Sequence, residues 1–152
     1  MADPACMTAA LAYANLGWRV LALSPGMKIP LKDSTLQPNG STSASKDPAH
    51  IKQLWTQYPL AGVGIATGKE SGLTVIDLDG PHAPALLKQH GLTPPETRTV
   101  KTPKGWHIYI QYDERIRQGA ALFVADCNCA KKCQIDVRND GGYVVAPPTV
   151  LA

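Results

Sequence analysis

The sequence predicts a mixed α+β domain, and three observations predict it. Two segments in the earlier part of the chain open on Asp-Pro and continue with apolar residues at helical spacing. Later stretches are short, apolar and β-prone. Turn residues separate those later runs at Thr102–Gly105 and again at Asn139–Gly142.

Asp3 and Pro4 read as cap and first residue of a helix running to about Leu16, with Met7, Leu11 and Ala14 on one side and Gly17 as the stop. Trp18 to Leu23 follows as a strand that feeds a Ser24-Pro25-Gly26 turn. Residues 33–46 are dominated by Ser, Thr, Asn, Gly and Pro. They are expected to bury little and to form a flexible surface loop. Asp47-Pro48 opens a second helix through Ile51, Leu54, Trp55 and Tyr58. Val63 to Thr67 and Leu73 to Asp79 read as strands, the latter central, and a short helix is expected over about 83–90. Arg98 to Lys101 and Trp106 to Tyr112 form an expected antiparallel hairpin. A Cys-rich loop at 126–133 precedes strands over Gln134 to Arg138 and Tyr143 to Ala146.

With 152 residues, 44% of them apolar, the chain suits one compact domain, and no internal repeat divides it. Its apolar runs are broken well short of the roughly 20 residues that span a bilayer, so no membrane partner is expected. No Lys or Arg precedes Arg19, which does not fit a secretory signal and points to a cytoplasmic location. A net charge of +3 permits contact with polyanions without requiring it.

Alternate residues of a strand share a face, so Asp77 and Asp79 emerge on the same side of Leu73 to Asp79. Two such carboxylates repel unless a cation sits between them, and Mg²⁺ or Mn²⁺ prefers oxygen ligands of this kind. The plainer reading is a strand end entering a polar turn. In Trp106 to Tyr112 the period of two sends Trp106, Ile108 and Ile110 one way, with Trp106 expected in the core. His107, Tyr109 and Gln111 then form a polar face. In Gln134 to Arg138 it places Asp136 and Arg138 together, opposite Ile135 and Val137. Should these faces line one sheet, three carboxylates, a His and an Arg converge. That constellation suits two-metal phosphoryl transfer.

The same residues fall into an ordered series. It begins with Ala12-Tyr13-Ala14 and Gly17-Trp18, continues through Pro25 to Pro30, Gly62 to Ile65 and Val75 to Asp79, and ends with Thr102 to His107, Ile135 to Arg138 and Gly141 to Pro148. In this series the chain resembles the bifunctional DNA primase-polymerase family of the archaeo-eukaryotic primase superfamily. The resemblance implies a modified RNA-recognition-motif-like sheet, mixed or antiparallel, with flanking helices. It implies nucleotidyl transfer, as primer synthesis or DNA polymerisation, from nucleoside triphosphates on a single-stranded DNA template. It makes Asp77, Asp79 and Asp136 the ligands of Mg²⁺ or Mn²⁺ and His107 a nucleotide-phosphate contact. Lys28, Lys104 and Arg138 become candidate triphosphate or template contacts. The chain is expected to be a piece of a longer protein, with a replicative helicase as candidate partner.

Cys127, Cys129 and Cys133 lie close in sequence, which suits a metal site better than a disulfide framework. Three thiolates supply most of a tetrahedral Zn²⁺ site, and His82, His90 and Asp126 are candidates for the fourth ligand. The resemblance extends to the zinc-bearing stem of some family members. Two other functions compete. Val75 to Gly80 imitates the nucleophile motif of haloacid-dehalogenase-like phosphatases, although Pro81 stands where those enzymes carry Thr or Val. A non-catalytic single-stranded nucleic-acid-binding domain would instead stack bases on Tyr109, Tyr143 or Trp106.

Overall fold

A computed structural model describes residues 3–152. The described residues form three α-helices and two antiparallel sheets, the α+β class expected. The first helix, α1 (Ala5–Asn15), opens one residue later than expected, with Pro4 as its cap and no side-chain cap bond. Strand β1 (Val20–Leu23) leads through residues 24–47 to α2 (Pro48–Gln57), where the Asp47 side chain accepts a hydrogen bond from the Ala49 amide. That bond satisfies a helix-end donor that would otherwise lack a partner.

Most of residues 33–46 are exposed or half-buried, yet the segment is anchored rather than loose. Leu36 and Gln37 are buried, and a short 3-10 helix spans Gly40–Ser43. Gln37 accepts from the Ala22 amide at 2.8 Å and donates to the Ala22 and Leu31 carbonyls at 2.9 and 2.7 Å. One buried amide thereby serves backbone groups on both sides of the β1 turn, as buried polar groups require.

Strands β2 (Gly62–Ala66) and β8 (Tyr143–Ala146) pair with β1 in a three-stranded sheet of order β1-β2-β8. The larger sheet has the order β4-β5-β3-β7-β6. It contains β3 (Leu73–Asp79), β4 (Thr99–Lys101), β5 (Gly105–Gln111), β6 (Gly119–Val124) and β7 (Gln134–Arg138). β4 and β5 make the expected hairpin. The turn at Asn139–Gly142, read as closing another, instead carries the chain from β7 in one sheet to β8 in the other. β6 was not legible in the sequence; it is an edge strand with largely exposed residues.

The two faces of the larger sheet are covered differently. Leu73, Val75 and Tyr109 join α1, α2 and the small sheet in the main core. On the opposite face, Leu78, Ile108 and Ile135 pack on Ala83, Leu86 and Leu87 of α3 (Ala83–Gln89). Tyr109 is 3% exposed, so the face it shares with His107 is core at one end and polar at the other. Trp106, expected inside, is half-buried and lines a shallow apolar groove beside α3. No helix among the described residues is long and apolar enough to cross a membrane.

Candidate active site

β3 is the central strand, and its register sets the site. Asp77 lies directly across from His107 on β5 and from Asp136 on β7, and Asp79 lies across from Gly105 and Gln134. The residues preceding Asp77 on this face, Leu73 and Val75, are core. The strand therefore changes from apolar to acidic as it leaves the core. A Cβ on Gly105 would collide with the Leu78 carbonyl oxygen, so only glycine allows the β5 backbone this close beside Asp79.

Asp77, Asp79 and Asp136 each offer an oxygen within 4.8 Å of the others. Asp77 and Asp136 are 8% and 4% exposed. His107 Nε2 stands 3.4 Å from Asp77 Oδ1, and Arg138 Nη2 lies 3.9 Å from Asp77 Oδ2 and 3.3 Å from Asp136 Oδ2. Burial first, and then the charge of Asp77, raise the Asp79 carboxyl above its ordinary pKa, while Lys104 and Lys28 pull it down. Buried polar atoms without a hydrogen-bond partner are few among the described residues, and Asp77 Oδ1 and His107 Nδ1 are two of them. Such orphans call for an explanation. A buried carboxylate oxygen that faces His107 at 3.4 Å without a hydrogen bond, beside two further carboxylates, belongs to a set of oxygens that fits a hard divalent cation.

These groups open into a cleft of about 580 Å³ between the two sheets. Lys28, Lys104 and Arg138 line it together with Asp77, Asp79 and His107. The opposite wall is the 141–149 segment that includes β8. The Lys28 loop is held from that wall, because Tyr143 Oη donates to the Lys28 carbonyl at 2.8 Å and the Ala152 amide to the Gly26 carbonyl at 2.9 Å. Six of the seven residues singled out from the sequence for phosphoryl transfer thus line one cleft, and Asp136, the seventh, lies beside Asp77 and Asp79. Sequence reasoning missed Gln134, although the period of two that exposed Asp136 puts Gln134 on the same face. Lys101 and Gln118 also line the cleft and were not singled out.

The Prim-Pol family, described as bifunctional DNA primase/polymerase, N-terminal, matches residues 10–152. The chain belongs to this family. The family is one of DNA primases and polymerases of the nucleotidyltransferase type, and membership implies DNA and nucleotides as substrates. No curated protein matches the sequence.

In this Prim-Pol domain a second cluster of ligand-type side chains lies at the ends of β3 and β7. Cys133 Sγ is 3.6 Å from Cys127 Sγ and 3.7 Å from Cys129 Sγ, and His82 offers a nitrogen within 4.8 Å of Cys127 and Cys129. All four cysteines are free thiols. Hydrogen bonds from the Cys129 and Cys133 backbone pull the Cys127 thiol down to about 7. His90, another candidate fourth ligand, stacks instead on Phe123 at 3.8 Å between ring centroids.

Proposed function

We propose that the chain is a catalytic domain for template-directed nucleotidyl transfer, starting or extending strands on single-stranded DNA from nucleoside triphosphates. The observation that carries this reading is the cluster of Asp77, Asp79 and Asp136, with its orphaned buried oxygen, on the floor of a cleft edged by Lys28, Lys104 and Arg138. Asp77, Asp79 and Asp136 would hold Mg²⁺ or Mn²⁺. Such ions activate an attacking 3′-hydroxyl and offset charge on the phosphates. Lys28 and Lys104 approach Asp79 closely enough to oppose its raised pKa, so their field also reaches any triphosphate held there. Arg138 adds a fixed guanidinium between Asp77 and Asp136. His107, held across from Asp77, is the contact for a nucleotide phosphate. We take the larger sheet with its flanking helices as the family's primase core. A replicative helicase remains the candidate partner, acting on the same template.

The same proposal assigns Zn²⁺ to Cys127, Cys129, Cys133 and His82. Thiolates about 2.3 Å from a tetrahedral zinc stand roughly 3.8 Å apart, and the sulfur separations of 3.6 and 3.7 Å match that edge. This choice takes His82 over His90 and Asp126.

Incorporation of labelled nucleoside triphosphates on single-stranded DNA, with and without an annealed primer, in Mg²⁺ and then Mn²⁺, tests the function. Asp77→Ala serves as the control. Products that vanish in the variant are expected. No incorporation by the wild type in any of these mixtures would sink the reading in favour of a binding module.

A further inference from the structure

We infer that Gln134 and the backbone amide of Ala121 form a positioning device for Asp136, fixing one carboxylate oxygen so that the other is presented to a metal. The inference rests on the metal-binding reading of the three aspartates.

The device is built from an irregularity in the sheet edge. β6 pairs with β7 at Gly119↔Val137 and again at Phe123↔Ile135. Ala120, Ala121 and Leu122 consequently stand opposite Asp136 alone. Ala121 takes φ 51°, the one positive φ outside glycine among the described residues. An alanine in this region carries a steric cost, and bulges beside functional sites characteristically re-aim a group. The result is that the Ala121 amide donates to Asp136 Oδ1 at 2.6 Å. Gln134, on the same face two residues earlier, donates its Nε2 to the same oxygen at 2.9 Å.

The two oxygens of Asp136 are thereby made unequal. Oδ1 accepts two hydrogen bonds, while Oδ2 has only the Arg138 guanidinium at 3.3 Å. Gln134 also pairs across the sheet with Asp79, on the face that carries all three carboxylates. A neutral donor suits that place, because it orients one carboxylate without adding charge. Groups that orient metal ligands in this way typically carry about 10-fold to 100-fold in metal affinity.

The test is Mn²⁺ binding to the isolated chain, followed by the paramagnetic resonance signal of free Mn²⁺, for wild type, Gln134→Met and Gln134→Ala. Methionine keeps the length of the side chain and removes the donor. Each variant is expected to bind Mn²⁺ about tenfold more weakly, measured at a temperature where its metal-free form is fully folded. At that temperature nucleotide incorporation by the variants should recover as Mn²⁺ is raised, which ties the loss to metal affinity rather than to unfolding. Wild-type affinity in both variants would overturn the inference, as would a wild type that binds no Mn²⁺. Failure of the enzymatic reading looks different: Mn²⁺ bound by the wild type and weakened by Gln134→Met, yet no incorporation in any protein.

Discussion

Asp79 shows at the scale of one residue what it costs a protein to crowd carboxylates together. Its carboxyl is raised by burial and by the neighbouring Asp77, so in the metal-free fold its ionised form is less comfortable than in the unfolded chain. For an acid with a raised folded pKa, the penalty is full above that pKa and disappears as pH falls below the unfolded value. Metal-free wild type should therefore gain thermal stability from this group as pH drops from neutral toward the acid range. Asp79→Asn should remove that dependence and melt higher than wild type at pH 7 without metal. Added Mn²⁺ should reverse the order, because it stabilises the protein that binds it. Melting curves at two pH values with and without Mn²⁺ check all of this, and an Asp79→Asn protein less stable than wild type without metal would contradict it. Ala121 is the second residue under tension. Ala121→Gly keeps the amide and relieves the left-handed backbone, giving a net gain of up to about 1 kcal/mol in urea unfolding.

The elements that carry the site differ in how readable they were, for a physical reason. β3 and β7 alternate strictly enough that Asp77, Asp79 and Asp136 announce their face from sequence, and their bounds match the expectation residue for residue. β6 does not announce itself, because an edge strand with exposed Ala120, Ala121 and Leu122 has no buried face to impose a period. Its contribution to the site is a backbone amide, and backbone groups leave no trace in residue identity. Tyr109 misled in the other direction: alternation placed it with His107, but the core lies on the same face one step along the strand. The Cys loop was legible as a cluster, and its position was not. Cys133 stands three residues before Asp136, and His82 three after Asp79. A Cβ on the intervening Gly80 would lie 2.5 Å from Cys133 Sγ, so the loop is packed against the end of β3. A zinc there would clamp together the two strands that carry the carboxylates. Cys129→Ser should lower the zinc content and the melting temperature and should also weaken Mn²⁺ binding. Elemental analysis and the Mn²⁺ titration read these effects separately, and unaltered Mn²⁺ affinity in zinc-depleted protein would uncouple the two clusters.

Across the whole molecule, the cleft depends on how the two sheets are held, since the carboxylates belong to one and the wall of β8 to the other. The chain crosses between them once after β7, at Asn139, a side chain 1% exposed and saturated with hydrogen bonds. Its Nδ2 donates to the carbonyls of Ile116 and Asp113, its Oδ1 accepts from Thr74 Oγ1 at 3.1 Å, and its amide donates to Gln118 Oε1 at 2.7 Å. Its carbonyl accepts from Thr67 Oγ1 at 2.6 Å, which ties the end of β2 to the crossover. One buried amide thus joins β3, the 113–118 connection and the path into β8. Asn139→Ala leaves two carbonyls without this donor and the buried Thr74 hydroxyl without its acceptor, which should cost about 2–4 kcal/mol in urea unfolding. Arg138 precedes it directly, and Tyr143, which holds the Lys28 loop, follows on the far side of the turn. Loosening the crossover should therefore raise KM for the nucleoside triphosphate at a temperature where Asn139→Ala is still folded, while Mn²⁺ binding, set within the larger sheet alone, stays near wild type. A variant that loses both in parallel would mean that the carboxylate floor and the opposite wall are not separable in this way.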